Sequence, residues 1–439
     1  MRKLFGTDGI RGVANKPPLT IDLCWKLAAA VVTGFCKSKS NENLILIGKD
    51  TRISGDMFEH ALAACLCSLG VKVKLLGVVP TPAVSMLTSK LRANAGIMVS
   101  ASHNPFQDNG IKLFRSNGLK LTDEEESKLE KTMADDGAHR RSATGTNIGR
   151  IFYVSSELDL YRARIKNSFN FSTAKIKIVL DSANGSFTSI APDILRGFGF
   201  DVVSLNDVPN GVNINENCGV ISPHILSENV VRHQADIGIA LDGDGDRVLL
   251  ADENGQILDG DHILAILTQS EETSEVVSTI MSNFGLEKYL SSQKIRLIKT
   301  NVGDRYISKY MQNSDAKFGA EPSGHIIIKS HLLTGDGLFA GLKVIEYMLK
   351  SGKKCSQLRL FSSFPTISKN LQTTDCAILS RPHVKKAIQQ FTRQLKGRGK
   401  LIVRPSGTEP IIRILAEGEN PPELHNIVDA LSKIIGNKA

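Results

Sequence analysis

A chain of 439 residues with 41% hydrophobic and 23% charged residues, 37 Gly and 15 Pro has room for about three domains, or four if one is small; its composition excludes a collagen, a coiled coil and a mostly disordered chain. The net charge of +9, from 54 Lys and Arg against 45 Asp and Glu, sits in short basic pairs such as Arg140-Arg141, Lys353-Lys354 and Lys385-Lys386 without interleaved aromatics, so small anionic ligands are expected and nucleic acid is not. The best apolar run, Leu27 to Cys36, is too short to cross a bilayer, and Gly6, Thr7 and Asp8 stand where a signal peptide needs its apolar core, so no membrane partner and a cytoplasmic location are expected.

In chain order, the apolar runs Leu44 to Ile47, Val71 to Leu76 and Ala95 to Val99 predict strands separated by helical stretches. Seven Cys, an odd number in a large chain, fit reduced thiols; Cys65 and Cys67 lie inside the apolar run Ala61 to Leu69 with no second Cys or His pair to complete a zinc site, so core packing is expected. Ala134 to Gly149, rich in Asp, Gly, Ser, Thr and Arg, reads as a linker. The strand rhythm returns as Ile176 to Leu180, Val202 to Leu205 and Ile237 to Leu241, then as Val276 to Met281, Ile295 to Ile298 and Ala316 to Gly319. Short, wholly apolar strands alternating with helices predict α/β units whose sheets are mixed, largely parallel and covered on both faces. After Phe364 and Pro365 the pattern changes to a strand Leu401 to Val403, a turn Pro405 to Pro410, a strand Ile411 to Leu415 and a helix Pro422 to Ile435. The expected organisation is three related α/β domains, 1–150, 151–255 and 256–367, and a smaller C-terminal α+β domain, 368–439.

Ligands of α/β sheets bind beyond the carboxyl ends of the strands, which directs attention to the loop after the third strand of each unit. The first, Ser100-Ala101-Ser102-His103-Asn104-Pro105 followed by Asn109-Gly110-Ile111-Lys112, suits a turn or cap as well as a reactive hydroxyl. A Ser-His hydrolase dyad is disfavoured, because sequence-adjacent side chains diverge and no Gly-x-Ser-x-Gly elbow surrounds Ser102. The second loop is Asp242-Gly243-Asp244-Gly245-Asp246-Arg247. Its carboxylates at i, i+2 and i+4 fall on one side of an extended chain, and the glycines let the backbone curl until they converge, a cluster that a hard cation such as Mg²⁺ neutralises. An EF-hand reading, invited by Glu253, fails because Arg247 occupies the position of the required Gly and the flanks read as strands. The third loop, Gly319-Ala320-Glu321-Pro322-Ser323-Gly324-His325, gathers groups that hydrogen-bond sugar hydroxyls, although a polar capped loop reads the same way. In the tail, Arg404-Pro405-Ser406-Gly407-Thr408-Glu409-Pro410, with Arg413 beyond, reads as a phosphate cradle or a simple β-turn, and Phe5 to Gly12 places Arg11 as a second anion contact.

In that order and at those separations, Ala101 to Pro105, Asp242 to Arg247, Glu321 to His325 and Arg404 to Thr408 resemble the four active-site loops of the α-D-phosphohexomutases, over essentially the whole chain. The opening Phe5 to Gly12 is similar to the bacterial branch that acts on glucosamine phosphates. Ala320 and Pro322 depart from a common Gly and Gln, which bears on hexose preference. The resemblance implies an intramolecular phosphotransferase that interconverts glucosamine 6-phosphate and glucosamine 1-phosphate through phosphorylated Ser102 and a bisphosphorylated sugar, supplying UDP-N-acetylglucosamine and cell-wall precursors, with glucose and mannose phosphates as runner-up substrates. It implies Mg²⁺ held by Ser102, Asp242, Asp244 and Asp246, and places Ser102, Lys112, Arg247, Arg11 and His103 in catalysis. Lys112, as the acid-base lysine, then needs a pKa depressed by cations such as Arg11. Glu321, Ser323 and His325 are placed at the sugar, and Arg404, Ser406, Gly407, Thr408 and Arg413 at the phosphate not reacting, with closure of the fourth domain keeping water away. The implied partner is a small sugar phosphate, with no nucleic acid or membrane, and a homodimer is compatible with this reading. A Mg²⁺-dependent phosphomonoesterase could use the same loops. A sugar-phosphate sensor need not keep Ser102, the three aspartates and the cradle together.

Overall fold

The computed structural model describes residues 4–6, 8–36, 42–135, 142–153, 156–171, 175–373, 375–405 and 411–436. The first sheet contains β1 (Ile10–Val13), β2 (Leu44–Lys49), β3 (Lys72–Val78), β4 (Ala95–Val99), β5 (Asp108–Arg115) and β6 (Ile151–Tyr153), in the order β1-β5-β4-β2-β3-β6. Its strands β6, β3, β2 and β4 are parallel, and β5 and β1 continue the sheet antiparallel. The second contains β7 (Lys177–Asp181), β8 (Asp201–Leu205), β9 (Ile237–Leu241), β10 (Val248–Asp252) and β11 (Ile257–Leu258), ordered β11-β10-β9-β7-β8. Here β8, β7 and β9 are parallel and the other two antiparallel. The third, ordered β13-β12-β14-β15, contains β12 (Glu275–Thr279), β13 (Arg296–Thr300), β14 (Phe318–Ala320) and β15 (Ile326–Ile328). The fourth sheet is antiparallel throughout, with β16 (Thr366–Gln372), β17 (Gly399–Pro405) and β18 (Ile411–Gly418) ordered β16-β18-β17.

The mixed, largely parallel sheets agree with the sequence pattern. Every residue of β4 and β9 is buried, as expected of short apolar strands covered on both faces. Local signals start and stop the covering helices. Thr122 and Glu125 make a reciprocal capping box that opens the helix Asp123–Met133. Asp336 Oδ1 accepts from Phe339 N at 3.0 Å to open Gly337–Ser351, which ends on Gly352 at φ 66°. Cys65 and Cys67 are part-buried against the core of the first sheet, formed by residues such as Leu62, Leu66, Val73 and Ile97. Among the described residues no helix is long and apolar enough to cross a membrane.

The chain groups into two compact units, Met1–Ile280 with Ile298–Arg359, and Met281–Leu297 with Leu360–Ala439. The first holds the first two sheets and most of the third. Within it, β6 follows the stretch read as a linker and pairs with β3, so the chain returns to the first sheet beyond residue 150. The second unit has its own core, in which Ile412, Ile414 and Ala416 of β18 meet Leu424, Ile427, Val428 and Leu431 of the closing helix Pro421–Gly436. It also includes the helix Phe284–Ser292, which lies in the sequence range expected for the third domain. Asn283 Oδ1 accepts from Phe364 N at 2.9 Å, Phe284 N donates to Glu417 Oε1, and Lys288 pairs with Glu419 at 2.9 Å.

Candidate active site

Three of the predicted loops emerge from strand ends and meet within the first unit. Ser102, in the turn after β4, is 1% exposed and holds φ at 54°, a left-handed conformation uncommon for residues bearing a side chain. Its N–H donates to Ser100 Oγ at 2.9 Å and its hydroxyl donates to Asp242 Oδ2 at 2.5 Å. His103 Nδ1 is 3.4 Å from the same hydroxyl, so the neighbouring side chains diverge less than expected, but the short bond goes to Asp242. Burial, then the Arg247 and Arg11 charges, push the His103 pKa down to about 4.

Asp242 to Asp246 form a turn in which Gly245 N donates to Asp242 O at 3.1 Å. The carboxylates therefore converge through the turn and not through extended-chain alternation. Both glycines are required by space or conformation. A Cβ on Gly243 would lie 2.7 Å from Ser102 O; Gly245 has φ +73°, and a Cβ there would meet the Phe187 ring at 2.2 Å. One carboxylate oxygen from each of Asp242, Asp244 and Asp246 lies within 4.8 Å of the others, and all three residues are buried. Asp244 Oδ1 and Asp246 Oδ1 are buried without a hydrogen-bond partner. Burial, then the charges of Asp246 and Asp244, hold the Asp242 pKa well above the usual carboxylate range. Three converging carboxylates, two of which keep an oxygen without a hydrogen bond, fit a divalent cation such as Mg²⁺.

Lys112 corrects one expectation. Burial and the Arg11 charge act to lower its pKa, as the acid-base reading required, but Asp244, Asp246 and Asp8 outweigh them and hold it well above the usual value. Its Nζ lies 2.7 Å from Asp244, 3.1 Å from Asp246 and 2.8 Å from Asp8. These contacts belong to a closed ring in which acidic and basic side chains alternate. Asp8 Oδ1 is 2.5 Å from Lys120, Lys120 is 2.5 Å from Asp304, and Asp304 is 3.2 Å from His325 Nε2. His325 Nδ1 completes it, 3.7 Å from Asp246. Although burial opposes the charged imidazolium, Asp304 and Asp246 raise the His325 pKa to about 10. His325, expected at the sugar, is thus a buried member of the ring.

The other predicted residues distribute as follows. Arg11 Nη2 is 2.5 Å from Asp8, and its Nη1 donates to Ala101 O at 3.3 Å. Arg247 Nε is buried without a hydrogen-bond partner, 4.0 Å from Asp246. Glu321 is buried and accepts from Gly303 N at 3.0 Å, its pKa raised chiefly by burial, whereas Ser323 is exposed. In the second unit, Arg404 and Arg413 are cross-strand partners on β17 and β18, and burial followed by the Arg413 charge lowers the Arg404 pKa. Ser406, Gly407 and Thr408 lie outside the described residues. Sequence reasoning missed Asp8, Lys120 and Asp304. Asp8 stood in the Gly6 to Gly12 segment already noticed, and Asp304 follows Gly303 at the start of a helix, a place where acidic residues are common for local reasons.

Four domain families match in chain order: Phosphoglucomutase/phosphomannomutase, alpha/beta/alpha domain I over residues 2–140, domain II over 159–255, domain III over 259–364, and the C-terminal domain over 369–434. A phosphoglucosamine mutase of Desulforamulus reducens is 44% identical and one of Zymomonas mobilis 43%, each over 100% of both chains. Among solved structures, a phosphoglucomutase/phosphomannomutase family protein from Burkholderia thailandensis superposes with a TM-score of 0.83 at 22% identity, over 100% of this chain and 99% of that one. Aspergillus fumigatus N-acetylphosphoglucosamine mutase, in complex with GlcNAc-6P and magnesium, superposes at 0.69 with 17% identity, over 99% and 96%.

Proposed function

The chain belongs to the phosphoglucomutase/phosphomannomutase family of phosphohexomutases, and we propose that it interconverts glucosamine 6-phosphate and glucosamine 1-phosphate through a phosphoserine at Ser102. The observation that carries the reading is the Ser102 hydroxyl, 2.5 Å from Asp242 at the edge of the buried three-aspartate turn. The relatives named phosphoglucosamine mutase, similar over the full chain, support the choice of amino sugar. We retain four domains, 1–150, 151–255, 256–367 and 368–439, as the working division.

In this reading the sugar hydroxyl gives its proton to solvent and bonds to phosphorus as the bond from phosphorus to Ser102 Oγ breaks and Ser102 Oγ takes up a proton; the bisphosphorylated sugar then reorients, and its other phosphoryl group returns to Ser102 Oγ with the reverse exchange of protons. Asp242, Asp244, Asp246 and the Ser102 oxygen would hold Mg²⁺, which when bound offsets charge on the phosphoryl group. Arg247 and Arg11 add fixed positive charge beside the loop. Lys112 orients Asp244 and Asp246 by donating to both. Glu321 and Ser323 hold sugar hydroxyls, and Arg404 with Arg413 binds a phosphate in the second unit.

Steady-state assays with glucosamine, glucose and mannose phosphates test the substrate. The highest kcat/KM is expected with glucosamine 6-phosphate, and a preference for either other hexose overturns that choice. Ser102→Ala is expected to lower isomerisation at least about a thousandfold and to remove the phosphate that peptide mass mapping finds on the Ser102 peptide. Stoichiometric release of inorganic phosphate by wild type would make the protein a phosphatase.

A further inference from the structure

We infer that Arg52 and Asn215 are positioning residues for phosphoryl transfer, gripping the same two carbonyl oxygens of the Ser102 loop and so fixing where the Ser102 hydroxyl stands against the aspartate turn. This deepens, and rests on, the reading of Ser102 as phosphoryl carrier. Arg52 follows β2 and is 2% exposed. A guanidinium has five N–H donors in a planar fork, and here the fork is fully used. Nε donates to Asp50 Oδ2 at 2.9 Å, Nη1 to Asp108 O at 3.0 Å and to Pro105 O, and Nη2 to Ser102 O and Asn104 O, both at 2.8 Å. Four of the five bonds therefore end on main-chain oxygens of the segment from 102 to 108.

The other side of the Ser102 peptide is tied to the same anchor. Asp50 accepts from Arg52 N at 3.0 Å and from Ser100 Oγ at 2.6 Å, and that Ser100 oxygen accepts from Ser102 N. Asn215, from the segment between β8 and β9, then donates through Nδ2 to Ser102 O at 2.8 Å and Asn104 O at 3.0 Å. The grip is thus made from both the first and second sheets. Neighbouring bonds hold the two sides together, Thr51 Oγ1 to Asn184 O at 2.5 Å and Ile53 N to Gly211 O at 2.8 Å. Neither Arg52 nor Asn215 bonds to Ser102 Oγ, so neither takes part in transfer itself. Their action is on the main chain of a serine held at φ 54°, a conformation that persists only when its surroundings enforce it. Loss of the grip displaces the hydroxyl from Asp242, and displacement of a reacting atom by about 1 Å costs on the order of a hundredfold in rate.

The test uses the full chain as wild type, Asn215→Ala, Arg52→Lys and the double variant, each charged with glucose 1,6-bisphosphate, with phosphate on Ser102 read by mass. Asn215→Ala is expected to lose about 10- to 100-fold in kcat and in the rapid-quench rate of transfer from Ser102, with KM within about twofold and melting temperature close to wild type. Arg52→Lys keeps the charge but loses the fork, and a larger fall is expected. Because the two residues share carbonyls, the double variant should fall by less than the product of the single effects. A folded Asn215→Ala with wild-type kcat and transfer rate overturns the proposal, as does a KM that rises in step with a falling kcat; if Arg52→Lys does not fold, Asn215→Ala decides. A wild type that takes no phosphate on Ser102 overturns the phosphoserine reading instead, which separates the two failures.

Discussion

Beside the aspartate turn of the first unit, buried acidic side chains meet basic ones, whereas one pair of strands in the second unit sets two arginines face to face. Around the aspartate turn, the acidic and basic side chains of Asp246, Lys112, Asp8, Lys120, Asp304 and His325 alternate around a closed ring, each within 3.7 Å of the next. On β17 and β18, Arg404 faces Arg413 in register. Like charges opposite one another on a sheet are destabilising, and an anion between them relieves the repulsion. The ring holds its members in place before a ligand arrives, so removing a member should damage rate. If the arginine pair binds a phosphate as proposed, removing a member should damage affinity.

The sharpest way to break this contrast is Asp244→Asn. The substitution removes an anionic carboxylate of the proposed Mg²⁺ site, one with an oxygen lacking a hydrogen bond, and weakens the contact to Lys112, so kcat should fall by on the order of 100-fold or more and half-maximal activity should need more Mg²⁺, with the circular dichroism spectrum unchanged. A Mg²⁺ titration of activity measures both effects, and full wild-type activity after exhaustive chelation would contradict the assignment. Arg404→Ala should act on the other term. A charged hydrogen bond of about 1.5–3 kcal/mol corresponds to at least a tenfold rise in KM, and the melting temperature should hold because Arg404 is only part-buried. If kcat falls while KM stays constant, the contrast drawn between the regions fails.

The smallest effect is expected at an isolated pair outside both regions, Lys74 on β3 and Glu157 at the start of the helix Glu157–Ser168. Glu157→Gln should cost about 0.5 kcal/mol or less at pH 7 in urea unfolding. The hydrogen bond from Lys74 holds the Glu157 pKa below its ordinary value, so this stabilisation is present above the unfolded carboxyl pKa of about 4.3 and fades as pH falls. The variant should match wild type near pH 3. A deficit there as large as at pH 7 would mean that packing, and not the ion pair, supplies the stability.

Two of the wholly apolar strands were legible to the residue, whereas Phe318–Ala320 was expected as Ala316 to Gly319 and Ile326–Ile328 was not expected. Ala95–Val99 and Ile237–Leu241 have the bounds that their sequence predicts, because burial on both faces leaves no polar residue to blur the ends. The run Val276 to Met281 is instead the strand Glu275–Thr279, which begins on a buried glutamate and carries Ser278 inward to donate to Ala320 O at 2.7 Å. The aspartate turn was legible because three carboxylates interleaved with two glycines lie within five residues, where a turn can bring them together. The ring was not, since Asp8, Lys120 and Asp304 are distant in sequence and meet only after three loops are packed. Without them, Arg11 was the neighbour that set the expectation for Lys112, and the direction came out reversed. Arg52 was hidden for a similar reason, because its partners are main-chain oxygens, which leave no trace in residue type.

The second unit is discontinuous in the chain, and this has a consequence for how the protein is made. The helix Phe284–Ser292 leaves the ribosome well before β16, β17 and β18, and Glu417, buried in the finished unit, accepts from Phe284 N and pairs with Lys400 at 3.4 Å. During translation that helix must wait, its contacts unmade, until the C-terminus emerges; closing such distant pairs is slow and leaves apolar surface open to aggregation. A recombinant fragment of the tail alone would lack the Phe284 N–H that donates to Glu417 in the finished unit. Expression of this unit as an independent piece therefore calls for residues 281–297 to be joined to residues 360–439.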